Sequence, residues 1–188
     1  MPRIRFLKIP LLTGCLIFTL SLAYAFDDGF GAAKKKESQH FIIYYAPQLD
    51  PYLLLEKLNI GSADLILSDE PIVRGDSLGL ALDILYNIVL KALDMNLYSL
   101  QGNLKICRNR EHLNSVYEAI FDRKLNTGSF YINDLNTIYI SADDFTKEIL
   151  GHEIAHMIIS HYFVVQPPQK VAEILSGYIE YQLRKQSR

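Results

Sequence analysis

Two histidines four residues apart, with a glutamate directly after the first, stand in Gly151-His152-Glu153-Ile154-Ala155-His156-Met157-Ile158. The flanking run from Phe145 to Phe163 is largely apolar and reads as one helix. On a helix, residues four apart differ by about 40° in azimuth, so both imidazoles share a face and can hold one Zn²⁺. Glu153 then lies beside that ion, placed to act as a base toward its water. A buried helix with two hydrogen-bonded histidines and an ion-paired glutamate would show the same letters. Placing three ionisable groups in an apolar helix without a shared purpose is costly, which favours the metal reading.

A hydrolytic zinc site needs a third protein ligand and an open position. His161 follows His156 by five residues and is turned about 140° from it, out of reach of the same ion. An extended motif with a third histidine six residues on is excluded, because Ile159 and Tyr162 occupy its glycine and histidine positions. Glu173 is better placed. It follows the turn at Pro167-Pro168, near the start of a helix that can fold back against the first. Glu180, seven residues further on nearly the same face, is the other candidate.

The elements that must position these residues can be traced along the chain. Arg3, Arg5 and Lys8, then apolar Ile9 to Leu22, then Ala23-Tyr24-Ala25, have the pattern of a secretory signal over residues 1–25. A periplasmic or secreted location follows. Two other readings stay open: retention of Ile9–Phe26 as an anchor, or lipidation at Cys15 within Leu12-Thr13-Gly14-Cys15. Residues 26–39 read as a flexible linker, and 40–188 as one domain. Strands are expected at His40–Tyr45, Leu104–Arg108, Ser129–Asn133 and Thr137–Ser141, the last two forming a hairpin around Asp134-Leu135-Asn136. Helices are expected at Pro51–Leu58, from Asp76 or Ser77 to Met95, over Glu111–Phe121, and from Gln169 to Lys185. Ala63–Leu67 is ambiguous between helix and strand. Ser141-x-x-Asp144 resembles a capping box and would start the motif helix near Ala142. The order is that of an α+β fold.

Composition narrows the function classes. Removing the signal takes three basic residues from 19 and leaves all 21 acidic ones, so 16 face 21 for a net of −5. That excess disfavours nucleic-acid phosphates. Lys34-Lys35-Lys36 reads as solvated linker. Without Cys15, Cys107 has no partner for a disulfide and reads as a core residue.

The pairing of His152-Glu153-Ile154-Ala155-His156 with Glu173-Ile174-Leu175-Ser176 resembles the gluzincin metallopeptidases, the thermolysin-like group. His40-Phe41-Ile42-Ile43-Tyr44 and Ile138-Tyr139-Ile140 are also similar to strands of the small peptidase MA-like domains of bacterial envelope proteins. The resemblance implies a zincin-like fold, with a small mixed sheet packed on the motif helix and a C-terminal ligand helix. It implies zinc on His152, His156 and Glu173, Glu153 as general base, and a peptide or protein substrate laid along Thr137–Ser141 as the edge strand. Two departures stand out. Gly177 occupies the place of an acid that orients a ligand histidine, leaving Asp143, Asp144 or Glu180 to substitute. With 32 residues after His156, the oxyanion donor is expected from within, Tyr178 or Tyr181 ahead of Tyr139 or His161. The expected activity is zinc-dependent peptide hydrolysis in the cell envelope. The competing classes are a zincin-like domain that serves as a binding or structural module, and a hydrolase of non-peptide amides. Membrane contact is expected only through a retained or lipidated N-terminal segment.

Overall fold

A computed structural model describes residues 27–61, 77–97 and 99–186. The expected signal, Cys15, the ambiguous Ala63–Leu67 and Asp76 lie outside the described residues. Strands β1 (Lys34–Glu37), β2 (Phe41–Tyr45), β3 (Gly102–Cys107), β4 (Ser129–Ile132) and β5 (Thr137–Ser141) form one sheet in the order β1-β2-β3-β5-β4. The three central strands are parallel, and both edge strands run antiparallel to their neighbours. Among the described residues, helices α1 (Pro51–Leu58), α2 (Ser77–Ala92), α3 (Arg110–Phe121), α4 (Lys147–Tyr162) and α5 (Gln169–Gln186) join the sheet in a mixed α+β architecture.

Strand alternation divides the core between the two faces of the sheet. Phe41, Ile43, Leu104, Ile106, Ile138 and Ile140 are fully buried in the core that includes residues of α2 and α4. On the opposite face Cys107 and Tyr139 pack with Phe30 and with Leu113 and Val116 of α3. Burial pushes the Cys107 thiol up to about 12, in keeping with a core role. Local signals set the helix ends. Asp50 and Asn109 cap α1 and α3, accepting from Tyr52 N at 2.9 Å and His112 N at 2.9 Å.

Three expectations are corrected. The flexible linker over 26–39 instead contains β1, paired with β2, and its Asp28 and Phe30 are buried. Lysines on an edge strand read as solvated chain, although such charge is a common protection for a free sheet edge. Second, Thr137–Ser141 is not the edge strand: β5 lies between β3 and β4, and β4 forms the edge. Third, α4 begins at Lys147, capped by Thr146, rather than near Ala142. Ser141 Oγ accepts from Asp143 N at 3.0 Å, and Asp144 is engaged by the Arg110 guanidinium, so these residues build the turn before the helix.

Helix α4 is buried on several sides, which explains its near-continuous apolar sequence. It touches the sheet, α2 and, most extensively, α5. Gly151 makes that last contact possible, because a methyl there would run into Leu183 of α5. Since residue 151 meets residue 183 while residue 156 meets residue 173, the two helices are antiparallel.

Candidate metal centre

Helix α4 presents His152, Glu153 and His156 toward one cavity of about 370 Å³, and the first turns of α5 contribute Glu173. His152 Nε2 and His156 Nε2 stand 3.1 Å apart. Glu173 Oε2 lies 3.7 Å from the first nitrogen and 3.6 Å from the second. Donors 2.0–2.2 Å from a tetrahedral ion are separated from one another by roughly 3.3–3.6 Å, so this triangle has the size that a zinc ion would span. The donor set, two nitrogens and one carboxylate oxygen, is also the one that zinc favours when a fourth position is left open.

The second nitrogen of His152 supports the same arrangement. Nδ1 is buried and makes no hydrogen bond. Its nearest charged neighbour is Glu180 Oε2, at 3.4 Å. Of the acids considered as replacements at the place taken by Gly177, Glu180 is the one the fold brings there, one helical turn further along α5. Asp143 accepts from Arg110 N at 3.1 Å and Asp144 pairs with the same arginine, which commits both elsewhere. A carboxylate beside Nδ1 favours the tautomer that leaves Nε2 open to a metal. Burial and then the adjacent His152 hold the His156 imidazole below its usual range, with Glu173 opposing. A neutral imidazole is the form that ligates.

Glu153 is 6% exposed. Burial is the main cause that raises its carboxyl to about 7; a bond from Ser129 pulls the other way, and the Glu173 charge adds to the rise. Ser129 Oγ donates to Glu153 Oε1 at 2.6 Å. This partner was not anticipated from sequence. Its signal is the alternation along β4, which turns Ser129 and Tyr131 toward α4 together. Tyr131 lines the cavity, and its hydroxyl lies 3.1 Å from Ser160 Oγ. Burial raises that phenol to about 12.

None of the four expected oxyanion donors lines this cavity. Tyr178 is half-exposed, turned about 140° from Glu173 by its five-residue offset. Tyr181 is likewise exposed on α5. Tyr139 lies on the other face of the sheet, its hydroxyl donating to Asp28 at 2.5 Å. His161 Nδ1 is 2.9 Å from Met157 O on its own helix. A larger cavity of about 590 Å³ opens on that other face around Asp28, Lys105 and Tyr139. There the Lys105 ammonium and the Tyr139 hydroxyl both bond to Asp28, a mutual satisfaction that reads as structural.

The sequence matches no known protein-family model, and no curated protein or solved structure shows significant similarity to it.

Proposed function

We propose that this chain is a zinc-dependent peptidase of zincin-like fold, acting in the periplasm or outside the cell. The observation that carries the reading is the triangle of His152, His156 and Glu173 donors with the buried Glu153 carboxyl in the same cavity. Bound there, zinc would supply Lewis acidity toward a water molecule and a scissile carbonyl. Glu153 would take the proton of the attacking water and pass it to the departing amine. Ser129 holds one oxygen of that carboxyl from the edge strand, fixing the direction in which the other faces. Glu180, its Oε2 3.4 Å from Nδ1, would orient the His152 ring from behind.

Strand β4 supports the choice of an extended substrate. It is the edge of the sheet, and its residues Ser129 and Tyr131 already line the cavity. A peptide added to that edge would gain main-chain hydrogen bonds and alternate its side chains between the cavity and the opposite face. The experiment is hydrolysis of a broad peptide library by the zinc-loaded chain and its Glu153→Gln variant. The expected result is that the variant keeps its zinc and loses roughly 10²–10⁴-fold in rate. Equal, metal-independent inactivity of both chains would favour a binding module instead.

A further inference from the structure

Eight of the eleven large apolar side chains that are exposed among the described residues fall within Tyr162–Tyr181. Singly scattered apolar residues are normal on a protein surface, whereas such a concentration marks an interaction site. In the turn between α4 and α5, Val164 is 103% and Val165 83% exposed. Along α5, Val171, Ile174, Tyr178 and Tyr181 follow at spacings of three and four. At 100° per residue they fall within a sector of about 80°, on the side of α5 away from buried Ser176, Ile179 and Leu183.

The charges on that sector decide what fits it. Lys170 stands at its beginning and Lys185 at its end, both exposed. The acids of α5, Glu173 and Glu180, lie about 120° and 140° from the centre of that sector, against the histidines. A second copy packed on this face would set lysine against lysine in either orientation, with no acid within the sector itself to pair. A lipid surface meets all the features at once. Valines at a turn and an apolar helical stripe enter the acyl boundary, tyrosines sit at headgroup level, and lysines reach anionic phosphates. No helix among the described residues is long and apolar enough to cross a membrane, so the contact is a surface one.

We propose that the outward face of α5, together with the Val164-Val165 turn, docks on an anionic lipid bilayer. Docking of this face needs neither the N-terminal apolar segment nor a bound metal.

The test attaches an environment-sensitive fluorophore to single cysteines in the full chain carrying Cys15→Ser, with Cys107 protected by complete burial. Labels go at Val165→Cys, Ile174→Cys and, as a control on α3, Glu118→Cys. All three positions are exposed, so labelling leaves the core intact. With vesicles of phosphatidylglycerol and phosphatidylcholine, emission is expected to shift blue and rise about threefold at 165 and 174, and to stay flat at 118. Adding Lys170→Glu and Lys185→Glu should abolish most of that rise. No change at 165 and 174 overturns the proposal. So does a rise that needs only higher protein concentration, which would identify a second copy. Equal rises on pure phosphatidylcholine, or at position 118 as well, would overturn it too.

Discussion

A carboxyl held at about 7 by burial is a liability to the fold, and Glu153 carries that liability. The ordinary value for a glutamate, taken for the unfolded chain, is 4.5. Between those values the folded chain keeps a proton that the unfolded chain has released. Stability of the metal-free protein therefore falls as pH rises through this window, and the full penalty is present above it. Glu153→Gln is expected to stabilise the metal-free chain by up to about 3 kcal/mol near pH 8, and hardly at all near pH 4. Urea unfolding at the two pH values checks this; equal effects at both would place the cause elsewhere. The role proposed for Glu180, orienting the His152 ring, is tested at the same scale. Glu180→Ala should leave the fold intact and weaken zinc binding by about 10–100-fold, because the His152 ring loses its support. Competition against a zinc indicator would measure it, and an unchanged affinity would remove Glu180 from the site.

At the scale of elements, the site depends on how closely two antiparallel helices approach. Gly151 stands where α5 leaves no room for a side chain, whereas at Gly177 an added methyl would meet nothing. Gly151→Ala is expected to cost about 1–3 kcal/mol by overpacking, and to weaken zinc binding by displacing Glu173. Gly177→Ala should be neutral or stabilising by up to about 1 kcal/mol, since alanine is the better helix former. Thermal melts of both variants distinguish local packing from a general intolerance of α5. Element by element, much was legible in the sequence. Pro51, the Asp134-Leu135-Asn136 turn and the Pro167-Pro168 break each bound an element by local backbone chemistry that neighbours do not alter. The start of α4 was not legible, because Ser141 and Asp144 spend their side chains on a turn and on Arg110. That choice depends on a residue more than thirty positions away.

For the whole molecule, what the sequence concealed was strand order. Local pattern tells that Thr137–Ser141 is a strand, but not which strands flank it. One clue was present: both faces of β5 are buried, as its unbroken Ile-Tyr-Ile suggests for an interior strand. Likewise Lys34–Glu37 looks like solvated chain until β2 supplies its partner. The grouping of the candidate site's residues was more legible than the sheet around it. His152, Glu153 and His156 are fixed by helical periodicity, and Glu173 by a single turn. Ser129 and Tyr131 come from an edge strand whose place only the assembled sheet reveals.

The central claim is that one ion is shared by the two imidazoles and the carboxylate of Glu173. Calorimetric titration of zinc into the metal-stripped wild-type chain and its Glu173→Ala variant tests it most directly. The expected result is about one ion per wild-type chain and a markedly weaker isotherm for the variant. Full-affinity binding by Glu173→Ala, or no binding by the wild type, would contradict it.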